Sequence, residues 1–288
     1  MTQEKRSDTE IQGAVKAQFV GIAPEREAET KALWELYSLE FSLLADQGYV
    51  VMEGGAYRSV HFNHRALRVL WVSTFAAWEA YRCAAEAVSS GKTSIDLTRL
   101  KELLMLALTI RDADDPESVP LQGLPEPGIF PEKELNSELR AAAEWAVFVS
   151  GWAMLHEVRH LKHQQEGTSS QPDALPAENH AEELSCDQFA TEYLMDKVGE
   201  FATASGQSED AIRNKRAVGI YFAMFALAVL SHAKWDATES HPSIQARLDA
   251  TRALISGAND DALSIARLAF FSLREVWPGA PGYEVKAD

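Results

Sequence analysis

WAMLHEVRHLKH, residues 152–163, holds three histidines and one glutamate in a run that otherwise has the pattern of a buried helix. Residues four apart on a helix share one face, so the imidazoles of His156 and His160 can converge on one metal ion. Glu157 is displaced from that position and can act on a water molecule instead of the metal. The alternative is an ordinary helix with a partly exposed histidine face.

A second segment supplies acids for the same site. A catalytic zinc keeps three protein ligands and one open position, so two histidines need a third partner. The pattern predicts a helix over about 180–197, on which Glu183 and Asp187 share a face and, with Ala190, form an E-x-x-x-D-x-x-A motif. Acids on a helix are also typical of a solvated surface, and neighbouring Glu182 is expected to face solvent.

A third segment, SHPSIQAR at 240–247, has the form H-P-S-x-x-x-R. Ser240 can cap a helix and Pro242 can occupy its first turn, so the segment is also a good helix start. A structural role and a catalytic role for this segment are compatible.

The two helical motifs resemble those of gluzincin-type zinc metallopeptidases. The resemblance implies one Zn²⁺ per chain, with His156, His160 and Glu183 as metal ligands. It gives Asp187 the task of accepting a hydrogen bond from a ligand histidine, as metal-bound imidazoles generally require. A zinc ion held in this way activates water, and Glu157 would be the general base that takes its proton.

Segment 240–247 is similar to one that follows the third ligand in peptidases like the prenyl-protein endopeptidases. That resemblance implies that His241 and Arg247 approach the active site and stabilise a developing oxyanion. The integral-membrane members of that group have several spanning helices, which this sequence lacks.

In its length, its helical N-terminal layout and its centrally placed H-E-x-x-H motif, the sequence most resembles the bacterial phage-exclusion (Lit-like) protease family. The motifs cover about 150–250, whereas the resemblance over 1–135 is one of general layout. The family implies an endopeptidase acting on a host protein, the translation elongation factor EF-Tu, after a phage-derived signal. A protein or peptide substrate and an activating peptide or protein are therefore the expected partners.

Other chemistries compete for the same residues. Glu157 and His160 also satisfy the E-x-x-H spacing of di-iron carboxylate proteins, but no other histidine has a glutamate three positions before it. A non-enzymatic helical protein with a degenerate metal site is the remaining alternative. His163 is expected outside the metal shell and His180 beside the cleft, while Cys186 is expected to pack as a small hydrophobe.

Composition narrows the partners and the compartment. The net charge of -16 opposes binding to nucleic acid, whose phosphates are also negative. Two cysteines and a polar start without an apolar leader predict a cytoplasmic protein. The longest apolar run, 217–230, is shorter than the ~20 residues that span a bilayer. We expect it to be a core helix, and peripheral membrane contact stays open.

The layout predicts a mainly α (α+β) fold with a small β-hairpin over 49–62 packed near the active-site helix, and the resemblance implies that this fold is zincin-like. A flexible N-terminus is expected at 1–25, a helical part at 26–115 and the catalytic part at 116–288, the last two forming one compact unit. The Pro-rich segment 112–131 marks the seam between them. Helices are predicted at about 27–46, 65–88, 96–110, 139–163, 180–197, 208–234, 241–256 and 260–275.

Overall fold

The computed structural model describes residues 7–36, 40–56, 58–132, 136–171, 173–255 and 260–282. The strands are β1 (Glu40–Leu44), β2 (Met52–Gly54) and β3 (Ser59–Asn63). The helices are α1 (Asp8–Gly21), α2 (Glu27–Leu36), α3 (His64–Ser89), α4 (Thr98–Asp112), α5 (Ser137–Glu166), α6 (Pro176–Met195), α7 (Val198–Ser205), α8 (Glu209–Leu230), α9 (Ile244–Leu254) and α10 (Asp260–Val276). The predicted fold class, mainly α with a small β element, is confirmed.

The three strands form one mixed sheet in the order β1-β3-β2. The predicted hairpin corresponds to β2 and β3, which pair antiparallel with Gly54 opposite Val60. The helix predicted over 27–46 is too long, because α2 ends at Leu36 and residues 40–44 become β1, parallel to β3. Pairing with β3, which lies further along the chain, makes residues 40–44 a strand instead of a helix. Phe41 on β1 is buried and packs into the core.

Helix α8 lies at the centre of the helical layer and contains the apolar run 217–230. Phe222, Met224 and Phe225 are at most 1% exposed, and α3, α5 and α10 pack around the helix. The run therefore forms core, as the sequence predicts. Across the described ranges, no helix combines the length and the apolar character needed to cross a bilayer.

The N-terminal segment differs from the flexible tail expected at 1–25. A capping box of Ser7 and Glu10 begins α1, and Ile11, Val15 and Phe19 are buried at a spacing of four residues. This spacing places all three side chains on one face of the helix. Residues 1–6 lie outside the described part of the chain.

The segment predicted as a seam, 112–131, is bound to α3. Arg68 donates to the carbonyls of Pro116 and Val119 and pairs with Glu126, and the indole of Trp71 donates to the carbonyl of Pro125. One apolar cluster runs from α1 to the residues after α10, on both sides of this segment. The elements that carry the site therefore share a single core.

Candidate metal centre and active site

Helix α5 carries the H-E-x-x-H motif. One turn before His156, this helix is bound to α6. Asn136 caps α5 by accepting from the Leu139 amide, and Gly167, at φ 70°, ends the helix. The indole nitrogen of Trp152 donates to Thr191 on α6 at 3.1 Å, and the Trp152 ring stacks 5.8 Å from that of His156. This anchoring holds the histidine face of α5 against α6.

The two motif histidines and Glu183 converge on one point. The Nε2 atoms of His156 and His160 are 3.2 Å apart. Glu183 places Oε2 3.4 Å from Nε2 of His156 and Oε1 3.2 Å from Nε2 of His160. Atoms bound to one tetrahedral zinc at about 2.05 Å are separated by about 3.3 Å, so the three side chains have the spacing of a shared metal.

One atom of this trio has no hydrogen bond. Glu183 Oε2 is buried and has no hydrogen-bond partner among the described residues, although its carboxylate faces two imidazoles. A buried carboxylate oxygen without a partner is costly, and a cation bound there would compensate it. The donor set of two imidazoles and one carboxylate suits zinc.

Cys186 is a further ligand candidate on α6. Its thiol can be placed with His156 and His160 in a group of ligand atoms within 4.8 Å of one another, which could hold a metal ion. Burial raises the pKa of the Cys186 thiol well above its usual range, which disfavours the thiolate that binds metals. The Glu183 carboxylate, whose oxygens lie 3.4 and 3.2 Å from the Nε2 atoms of His156 and His160, is the other candidate for a third donor and is anionic.

Asp187 and Arg247 form the support behind His156. Asp187 Oδ1 is 2.9 Å from Nδ1 of His156, and the side chain of Asp187 is 1% exposed. Arg247, on α9, donates to both oxygens of Asp187 at 2.8 and 2.6 Å. The guanidinium is buried behind the ligands, with Nη1 3.7 Å from Glu183, and does not line the open side of the site.

Glu182 plays a part that the sequence did not reveal. It was expected to face solvent, but its side chain is 9% exposed and Oε1 lies 2.9 Å from Nδ1 of His160. Each of the two motif histidines therefore has its own carboxylate, Asp187 for His156 and Glu182 for His160. The signal available in the sequence was only the position of Glu182 next to Glu183, which does not show where the carboxylate points.

Glu157 faces β2 at the edge of the site. The amide of Gly54 donates to Glu157 Oε2 at 2.7 Å. A Cβ on Gly54 would lie 3.1 Å from Cβ of His160 and 3.2 Å from the carbonyl oxygen of Glu157, so only glycine lets the strand approach this closely. The sheet is thus packed directly on the motif helix.

His241 lies at the mouth of the site, on the loop before α9. Its Nε2 is 3.6 Å from Glu183 Oε1, its side chain is 56% exposed, and Nδ1 bonds Ser240 Oγ at 2.7 Å. His180 on α6 holds this loop, because its Nε2 is 2.7 Å from the carbonyl oxygen of Thr238. His163 points elsewhere and lies outside the trio, with Nδ1 on Thr168 and Nε2 on Ser185.

The charges of the cluster shift its pKa values in opposite directions. Burial disfavours a charged His156, but the hydrogen bond to Asp187 and the negative charge of the nearby Glu183 carboxylate outweigh it and raise the pKa of His156 to about 9. Burial would raise the pKa of Glu183, yet the same imidazoles and Arg247 hold it far below its usual range. Burial raises the pKa of Glu157 above its ordinary value.

The fold and the site together define a class of protein. It is a mainly helical protein that packs a cluster of histidines and carboxylates against a small sheet. The family model described as Peptidase U49 matches residues 60–269, nearly three quarters of the chain. The chain therefore belongs to this family, the Lit protease family of metallopeptidases, and is a protease. No curated protein and no solved structure matched the chain. The matched range includes every residue of the trio, whereas β2 precedes it.

Proposed function

We propose that the protein is a zinc-dependent endopeptidase that uses Glu157 as its general base. The observation that carries the proposal is the trio of His156, His160 and Glu183, whose facing atoms have the separations of ligands on one tetrahedral ion. Family membership supplies the reaction class, hydrolysis of peptide bonds. When bound, zinc supplies Lewis acidity that activates water for attack on the peptide carbonyl.

Glu157 is placed to move the proton. The Gly54 amide holds Oε2 at 2.7 Å, so Oε1 is the oxygen that accepts the proton from the attacking water. Because burial raises the pKa of Glu157, its carboxylate is a stronger base towards the proton of the water, and it can then donate this proton to the leaving amine. The charges of both ligand histidines lie close enough to oppose this rise.

His241 is the residue we assign to the oxyanion. It is exposed at the mouth of the site, where a substrate carbonyl can reach it, and burial lowers the pKa of its imidazole. A neutral ring that accepts at Nδ1 from Ser240 carries its proton on Nε2, the atom that faces the site. Arg247 is assigned a positioning role instead, since Asp187 occupies its guanidinium.

Strand β2 offers an edge for an extended substrate segment. Gly55 donates to the carbonyl of Ser59, and Asn63 donates to that of Val51, so odd-numbered residues of β2 pair with β3. Met52 and Gly54 therefore direct their backbone groups away from β3; the Gly54 amide is bound to Glu157, and the Met52 amide and the two carbonyls lie along the same edge. We propose that substrate adds along this edge as a further strand, as in other peptide-binding sheets.

The identity of the substrate is a finer proposal. Likeness to the phage-exclusion proteases makes elongation factor EF-Tu the first protein to test, together with an activating peptide or protein. Incubation of purified EF-Tu with the protein and with a Glu157→Gln variant, followed by mass spectrometry, checks it. An intact EF-Tu in the presence of a phage lysate would remove this substrate while leaving the peptidase proposal in place.

Metal content and one substitution test the main proposal. We expect one zinc per chain, lost in His160→Ala, and proteolysis reduced by about 10²–10⁴-fold in Glu157→Gln, which should keep its zinc. Glu166→Gln is the matched control, because Glu166 is a surface glutamate on the same helix, paired with Arg159. A pair of irons, or normal cleavage of the proteome by Glu157→Gln, would refute the mechanism.

A further inference from the structure

The carboxylate of Glu182 lies directly behind the second histidine of the trio. Its Oε1 is 2.9 Å from Nδ1 of His160, on the side of the ring opposite the metal-facing Nε2. A carboxylate at this distance accepts a hydrogen bond from the N–H group at Nδ1. It thereby selects the tautomer whose Nε2 lone pair is free to bind a metal, and it fixes the plane of the ring.

Glu182 is held in turn by the loop between α5 and α6. We call residues 167–171, sequence GTSSQ, the strap. The amide of Ser170 donates to Glu182 Oε2 at 2.5 Å, and the Ser169 hydroxyl lies 3.3 and 3.4 Å from the two carboxylate oxygens. Glu182 therefore connects the strap to His160 through two oxygens, one for each partner.

The start of the strap is fixed by His163, the third histidine of the opening motif. Nδ1 of His163 is 2.8 Å from the hydroxyl of Thr168, and Nε2 is 2.7 Å from Ser185 on α6. The Thr168 amide also donates to the His163 carbonyl at 2.9 Å. His163 is buried, and its two ring nitrogens connect α5, on which it lies, to the strap and to α6.

We propose that Glu182 is a positioning residue for His160 and that the strap sets the position of Glu182. The metal affinity of the centre then depends on a loop that supplies no ligand. This inference rests on the proposed function, because it takes His160 as a metal ligand. Loss of the strap contacts would free the carboxylate to turn away, and the imidazole would lose its fixed tautomer and orientation.

The test compares zinc affinities, measured by competition with a chromophoric chelator. Glu182→Ala should weaken binding by about 10–100-fold, the usual effect of losing such a partner. Glu182→Gln should recover part of this loss, since its amide oxygen can still accept from Nδ1. Glu192→Gln is the matched control, because Glu192 on the same helix contacts Gln188 and should bind zinc like the wild type.

Two further measurements separate positioning from a general loss of structure. Nitrogen-15 NMR of the metal-free protein, recorded at a pH high enough that the His160 ring is neutral, should show the proton on Nδ1 in the wild type and a shift towards Nε2 in Glu182→Ala. The double variant Thr168→Val, Ser169→Ala leaves Glu182 intact and should weaken zinc binding in the same direction, by less than Glu182→Ala. Circular dichroism should be unchanged in all variants.

The possible results have distinct meanings. Zinc affinity of Glu182→Ala within twofold of the wild type, with His160→Ala unable to bind zinc, overturns the positioning role and leaves the proposed function standing. Retention of zinc by His160→Ala overturns the proposed function itself. A weakened Glu182→Ala beside a double strap variant of wild-type affinity and tautomer overturns the role of the strap.

Discussion

Replacing Gly54 by alanine should displace the proposed general base, Glu157, and also lower the stability of the fold. The added Cβ would lie 3.1 Å from Cβ of His160, 3.2 Å from the Glu157 carbonyl oxygen and 3.5 Å from a methyl of Leu161. Two of these distances are shorter than ordinary carbon contacts of about 3.5–4.0 Å. Neither the helix backbone nor a Cβ can rotate away, so β2 must retreat from α5 by a few tenths of an ångström.

The retreat has two costs. Overpacking of this kind destabilises proteins by about 1–3 kcal/mol. The 2.7 Å bond from the Gly54 amide to Glu157 must also lengthen, which releases the orientation of the general base. We expect Gly54→Ala to lower kcat by about tenfold, since errors of 1 Å at a reacting group cost about 10²-fold. Zinc affinity should change less, because Asp187 and Glu182 on α6 hold the imidazole rings of His156 and His160 in place.

Urea unfolding, kcat and zinc affinity of the same samples measure these effects. Gly13→Ala is the matched control, because a Cβ on this exposed glycine of α1 meets nothing within 4 Å. That substitution should stabilise the protein by about 0.5–1 kcal/mol, as expected for alanine in a helix. The inference that β2 lies too close to α5 for a side chain at residue 54 would be refuted by one result. In that result, the stability of Gly54→Ala is within about 0.5 kcal/mol of the wild type and its kcat is within twofold.

Three further predictions concern the supports of the site. Zinc affinity should rise at least about tenfold per pH unit from pH 6 to 8, because the proton on His156, whose pKa is raised to about 9, must leave; a flat profile by chelator competition would contradict this. Arg247→Ala should destabilise the fold by about 3–5 kcal/mol in urea, since it removes the buried cation that pairs with both oxygens of Asp187 and leaves this carboxylate with His156 alone, with Arg247→Lys intermediate; a loss below about 1 kcal/mol would show that His156 alone is a sufficient partner. His180→Ala should lower kcat several-fold with unchanged zinc affinity, by freeing the loop of His241, and equal losses in both quantities would place its effect at the metal centre.

The spacing of the motif residues is local, and for that reason the sequence could predict the trio. An α-helix fixes which side chains share a face. The spacing of four residues is therefore enough to predict that His156 lies beside His160 and that Glu183 lies beside Asp187. The structure adds that the two faces meet with separations of 3.2 to 3.4 Å. The roles of these residues as ligands stay predictions until metal is measured.

The parts that the sequence could not supply depend on segments that return from elsewhere in the chain. Glu182 looks like a surface residue on its helix, and only the strap, twelve residues earlier, turns it inwards through the Ser170 amide. Arg247 was expected to reach the substrate, and only the packing of α9 shows that it lies behind Asp187. In the same way, residues 40–44 have no local feature that excludes a helix until β3 lies beside them.

The supports of the motif come from three separate parts of the fold, and this has a consequence for how the site forms. Glu157 is held by β2, His160 by α6 and the strap, and His156 by Asp187 with Arg247 from α9. A fragment lacking β2 or α9 leaves part of the centre without its partner. The complete metal-binding geometry is therefore a property of the whole folded core, and a ligand that binds only this geometry stabilises every element that contributes to it.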